Sequence, residues 1–83
     1  MPKIDDIMTQ IQKLFIKKSN TIYEVVIVDQ VYSDQINIFF EYYKIGHATT
    51  SQQIARLEGK YREDIPDIKQ QIRQTTGLTV HVR

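Results

Sequence analysis

Apolar residues at the start of the chain recur at the spacing of an amphipathic helix. They occupy positions i, i+3, i+4 and i+7, the template of a helix with one buried side. The members of this repeat are Ile4, Ile7, Met8, Ile11, Leu14 and Phe15. Aspartates stand early and lysines late, which is the order that the helix dipole favours. We predict that the helix ends before Ser19 and Asn20.

From Thr21 the pattern changes to that of two β-strands. Residues 21–28 are dense in β-branched side chains, and residues 35–44 read as a second strand with two alternating faces. The segment between them contains Ser33 and Asp34, which are typical of a turn. Because the connection is so short, the two strands are predicted to pair antiparallel as a hairpin.

A short helix is predicted directly after the hairpin. Thr50 and Gln53 have the spacing of a capping box, in which each side chain bonds the backbone N–H of the other residue. Ile54 and Leu57 would form the inner edge of this helix. Gly59 would then end it in the left-handed backbone conformation.

A further helix and a last strand complete the predicted fold. The helix would run from near Asp64 to Gly77, and the strict alternation of residues 78–83 indicates a strand. The predicted order is α-β-β-α-α-β. It describes a single α+β domain spanning residues 1–83, a two-layer sandwich with a three-stranded mixed sheet and helices on one face. The last strand is expected to run parallel to one of the first two, through a right-handed crossover.

The helix-free face of the predicted sheet is expected to be apolar. Alternation would direct Tyr23, Val25 and Ile27 of the first strand and Phe39 and Tyr43 of the second toward this face. A contiguous apolar patch on a small domain usually marks an interface. We therefore predict a protein contact surface with these residues at its centre, and a homo-oligomer as the expected assembly. Two alternatives stay open: the first helix covers this face, or a bulge mixes the two sides of the first strand.

Composition narrows the class of protein. The chain has 83 residues and a net charge of +1, so no overall field attracts it to nucleic acid. It contains no cysteine, which excludes disulfides, thiolate–zinc sites and thiol catalysis. The lack of cysteine, of a long apolar run and of a signal-like start favours the cytoplasm and no membrane role. Abundant Ile, Gln, Lys and Thr suggest a bacterial or mobile-element gene.

No catalytic, cofactor or metal site is predicted. His47 and His81 are the two histidines, and neither has a histidine or carboxylate at the spacing of a metal ligand set. The three glycines are isolated, so the chain has no glycine-rich phosphate loop. We expect a non-enzymatic protein.

The segment Gly59-Lys60-Tyr61-Arg62 supports an alternative function. The predicted order of elements resembles the prokaryotic type of the KH domain, a module that binds single-stranded RNA or DNA. In that family a Gly-x-x-Gly loop joins the two central helices, and its bare backbone approaches the phosphates. Here the first glycine is present and arginine replaces the second. The resemblance implies single-stranded nucleic acid as the partner. The cations that would contact phosphate are Lys60, Arg62, Lys69 and Arg73.

Overall fold

The computed structural model describes residues 2–15 and 19–83, which form two α-helices, one 3₁₀ helix and four strands. The elements in chain order are α1 (Pro2–Leu14), β1 (Thr21–Gln30), β2 (Gln35–Lys44), β3 (Thr50–Glu58), the 3₁₀ helix (Gly59–Asp64), α2 (Ile65–Thr76) and β4 (Thr79–Val82). The predicted α+β class is confirmed. The sheet has four strands, however, where three were predicted.

The four strands form one mixed sheet in the order β3-β2-β1-β4. β1 and β2 pair antiparallel, as predicted for the hairpin, with Val26 opposite Phe39. β3 joins the other edge of β2, also antiparallel. β4 lies parallel to β1, with Val80 beside Val25, which confirms the parallel pairing expected for the last strand.

Both α-helices pack on the same face of this sheet and form the core with it. Each helix contributes three buried isoleucines at helical spacing, which are Ile4, Ile7 and Ile11 of α1 and Ile65, Ile68 and Ile72 of α2. They meet buried residues of all four strands, among them Ile38, Phe40 and Leu57. Burying one such side chain contributes about 1.5–3 kcal/mol relative to leaving it exposed, so this layer is the main source of stability.

The helix predicted over residues 50–57 is wrong, because this segment forms strand β3. Its pairing with β2 shifts register between Ile38 and Phe39: Ala55 lies opposite Ile38, whereas Gln53 lies opposite Phe39. Ile54 is therefore the extra residue of a β-bulge, and the bulge interrupts the alternation that would have marked a strand. The remaining apolar positions, Ile54 and Leu57, happen to match helical spacing.

Gly59 also differs from its predicted role. It begins the 3₁₀ helix and is not among the residues with positive φ, whereas Gly77, with a φ of 74°, ends α2 in the left-handed conformation as predicted. The Gly59 N–H donates to the Asp34 carbonyl oxygen at 2.9 Å. A Cβ on residue 59 would overlap with the Asp34 carboxylate. Close approach to the hairpin turn, not backbone conformation, thus favours glycine here.

The prediction that Tyr23, Val25 and Ile27 of β1 lie on the helix-free face is wrong as well. Tyr23, Val25 and Ile27 lie on the helix-covered face, and the last two are fully buried. The ring of Tyr23 stacks on Phe15 at a centroid distance of 4.7 Å, beside the ring of Phe40 at 5.9 Å. Both sides of β1 are apolar, so alternation alone could not choose between them. The choice follows from pairing, which places these three residues beside the inward residues of β2.

Candidate protein interface

The helix-free side of the sheet, called the outer face below, is built from alternate residues of the four strands. Its centre is the pair Val26 and Phe39, which lie directly opposite each other on β1 and β2. Val26 is only 1% exposed although no described helix covers it, and Phe39 is half-buried. A second apolar pair, Ile22 and Tyr43, lies nearer one end, and Ile22 is 40% exposed. The predicted positions of Phe39 and Tyr43 on this face are thus confirmed.

Two carboxylates separate these apolar pairs and form what we call the acidic row. Glu24 and Glu41 lie directly opposite each other on β1 and β2, an arrangement that destabilises a sheet through like-charge repulsion. Each has a polar partner on the neighbouring strand. His81 Nε2 lies 2.5 Å from Glu24 Oε2, and the Ser51 hydroxyl donates to Glu41 Oε2 at 3.1 Å. These contacts offset part of the repulsion and extend the row across the sheet.

Two arginines lie on the other side of the apolar centre and form what we call the basic row. Arg56 of β3 is opposite Asn37 of β2. Arg83 continues β4: its N–H donates to the Ile27 carbonyl oxygen, and its own carbonyl oxygen accepts from Asp29 N–H. This bonding sets Arg83 beside Val28, and alternation with His81 directs its side chain to the outer face.

Arg56 of the basic row is held by a polar network that the sequence analysis missed. Asn37 is 5% exposed, and its amide donates to Gln30 Oε1 at 2.7 Å. Its carbonyl oxygen accepts from Gln53 Nε2 at 2.9 Å and from Arg56 Nε at 3.2 Å. The network joins three strands and fixes the stem of Arg56 on the outer face. One asparagine inside an apolar strand was its only sequence signal.

Arg62, predicted as a phosphate contact, instead connects the 3₁₀ helix to the hairpin. Its Nε donates to both carboxylate oxygens of Asp29, at 2.8 and 2.7 Å. Its Nη2 lies 3.7 Å from Asp34 Oδ1, too far for a hydrogen bond but close enough for an ion pair. The hydrogen bond with Asp29 is the main cause that raises the pKa of Arg62 above its usual value. The Nε of this guanidinium is occupied within the fold, while its Nη2 is buried without a hydrogen-bond partner among the described residues.

The other predicted phosphate contacts are divided between the Gly59 segment, which contains Lys60, and α2. Lys60 lies 3.5 Å from Glu58 Oε2 and 5.3 Å from the ring centre of Tyr61. Lys69 and Arg73 lie on α2, where they line a shallow groove that ends at Gly77. The segment joins a strand to a helix, so the α-β-β-α-α-β order behind the KH resemblance is absent from the described fold. Nucleic-acid contact by Lys60, Lys69 and Arg73 stays a prediction.

The histidines and carboxylates are the remaining candidate ligands for a metal ion. Within residues 2–15 and 19–83, no group of three or more histidine or carboxylate side chains is arranged to hold a metal ion. His47 is exposed in the connection between β2 and β3, while His81 pairs with Glu24 on the outer face. Neither of the two described α-helices is long and apolar enough to cross a membrane.

Comparison with known proteins identified no relative of this chain. A scan against protein-family models, a search of curated proteins and a search of solved structures found no match for the chain. The chemistry of the outer face therefore has to be judged from its own residues.

Proposed function

We propose that this chain is a non-enzymatic protein–protein interaction domain that self-associates through the outer face of its sheet. The observation that carries the proposal is a sheet with helices on one face and, at the centre of the other, the half-buried side chain of Phe39 beside the buried Val26. An aromatic side chain at the centre of a patch is typical of the residues that dominate binding energy at interfaces. The Ile22–Tyr43 pair extends the apolar area along the same two strands.

The charges near this centre favour a protein partner over nucleic acid. Glu24 is two residues from Val26 along β1, and Glu41 is two residues from Phe39 along β2. The glutamates are therefore the next side chains on the outer face. A phosphate backbone laid across the aromatic side chain would meet both carboxylates and be repelled. A protein surface can instead place cations there. The outer face itself supplies two such cations, Arg56 and Arg83.

The size of the outer face indicates a weak assembly. Two strands of ten residues set its length at about 30 Å, and three strand spacings set its width at about 14 Å. The flat footprint is about 400 Å² for each copy, below the ~800 Å² per partner of a standard specific interface. We expect a dissociation constant of about micromolar or weaker.

Sedimentation velocity over a wide range of protein concentration tests the proposal. The wild-type chain should shift from monomer to dimer as concentration rises, and Phe39→Glu should stay monomeric because it buries a charge at the centre of the contact. Tyr32→Glu is the matched control, since Tyr32 is a fully exposed aromatic residue in the hairpin turn, away from the outer face. A wild-type chain that remains monomeric at the highest concentration would refute self-association.

A further inference from the structure

The charges nearest the apolar centre of the outer face are segregated on either side of it, and Glu58, which lies farther out beyond Arg56, pairs with Lys60. The acidic row holds Glu24 and Glu41, and the basic row holds Arg56 and Arg83. Arg56 lies opposite Asn37, which is four residues along β2 from Glu41, so the two rows are about 13 Å apart. Within the described residues neither arginine forms an ion pair. The two rows cannot neutralise each other inside one copy.

We infer that the partner is a second copy of this chain, packed face to face about a two-fold axis that runs across the strands. This inference rests on the proposed self-association and adds its geometry. Rotation about such an axis reverses the strand direction of the second copy but leaves each strand over its own counterpart. The apolar centre then meets itself, and the acidic row of each copy meets the basic row of the other.

Strand order decides which charges meet. Glu41 lies opposite Asn37 of the second copy, and Arg56 is the neighbour of that asparagine on β3. Glu24 lies opposite Val28 of the second copy, beside which β4 places Arg83. Symmetry repeats both pairs, so the contact contains four intermolecular ion pairs around the stacked Phe39 side chains.

The other aligned packing is disfavoured by the same charges. A two-fold axis parallel to the strands would place the acidic row over the acidic row and the basic row over the basic row. Like charges facing each other across an interface oppose binding strongly enough to select its register. Charge placement thus chooses between two orientations that apolar contact alone would leave equivalent.

Reciprocal charge reversal tests this orientation. Glu41→Arg and Arg56→Glu should each weaken self-association by about tenfold, because each places like charges together twice in the symmetric pair. An equimolar mixture of the two variants should associate about as well as wild type. In the mixed pair, each Glu41–Arg56 contact again joins opposite charges. Sedimentation with one variant fluorescently labelled measures the mixed species directly.

A control variant, a folding check and a salt titration show whether the effects of charge reversal come from contacts of the outer face. Arg73→Glu on α2 makes the same charge change away from the outer face and should leave self-association unchanged. Arg56 bonds Asn37, so circular dichroism and thermal unfolding must show that Arg56→Glu folds. If it does not, Arg56→Gln is used instead. Wild-type association should weaken with added salt, and this dependence should fall in Glu41→Gln/Arg56→Gln.

The result that overturns the inference differs from the one that overturns the proposed function. If wild type self-associates, Phe39→Glu is monomeric and the mixed charge variants show no rescue, then the surface is right and the two-fold orientation is wrong. If wild type never self-associates, the proposed function itself fails.

Discussion

The two faces of the sheet carry similar apolar side chains and bury them by different means. Phe39 and Phe40 are neighbours in sequence, yet Phe40 is fully buried beneath the helices and Phe39 is half-buried on the outer face. The inner face excludes water with the isoleucines of α1 and α2. The outer face depends on contacts within the sheet, including the Asn37 network. Apolar character alone therefore does not reveal which face of a sheet the helices cover.

Truncating the two phenylalanines gives the largest expected difference between the faces. Phe40→Ala should lower the free energy of unfolding by about 3–5 kcal/mol, because it leaves a cavity beneath the helices. Phe39→Ala should cost about 1 kcal/mol, since its ring is already half in water. Urea denaturation at low protein concentration measures both without a contribution from association. Equal losses would contradict the assignment of inner and outer faces.

The same two faces show where sequence reasoning succeeds and where it stops. α1 and α2 were predicted because each has one apolar side, and β2 because one side is apolar throughout while the other alternates apolar and polar residues, and these periods appear within single segments. β1 is apolar on both sides, so its residues contain no local information about which side is inward. That information lies in the helices, which are apolar on one side only, and in β2, whose outer side interrupts its apolar residues with Asn37 and Glu41.

Long-range polar contacts were the other features that the sequence concealed. The bulge at Ile54 hid strand β3, since its cause is the pairing with β2 and not the local composition. Arg62 and Asp29 are 33 positions apart, and no spacing rule connects them. Of the five residues predicted for the outer face, Phe39 and Tyr43 lie there, and their role in an interface stays a prediction. The acidic and basic rows combine residues of different strands, so they depend on how the four strands pair.

Removing Asn37 from the outer-face network should lower the free energy of unfolding less than truncating Phe40 in the core. Asn37→Ala should lower the free energy of unfolding by about 1 kcal/mol, because it removes three hydrogen bonds whose other partners can rebond to water. Ser33→Ala is the control at the exposed edge of the network and should change stability very little. A loss as large as that of Phe40→Ala would show that the outer face is as stabilising as the inner one.

The smallest expected effect is a gain in stability, in the variant Glu41→Gln, and this variant should at the same time weaken self-association. Glu41→Gln removes the charge facing Glu24 and keeps an oxygen that accepts from Ser51. The free energy of unfolding should therefore rise by about 0.2–1 kcal/mol. The same change removes an intermolecular partner of Arg56, so self-association should weaken. Thermal unfolding at low protein concentration measures the first effect, and sedimentation measures the second.

Salt and a matched variant identify the cause of that gain. If like-charge repulsion is responsible, the stabilisation should shrink as ionic strength rises. Glu58→Gln, at an outer-face position opposite Gln35 where no second carboxylate faces it, should give no such gain. A Glu41→Gln variant that is less stable than wild type would show that Ser51 and its surroundings outweigh the repulsion. A monomer that gains stability while the dimer weakens would mean that the acidic row is maintained for contact between copies and not for folding.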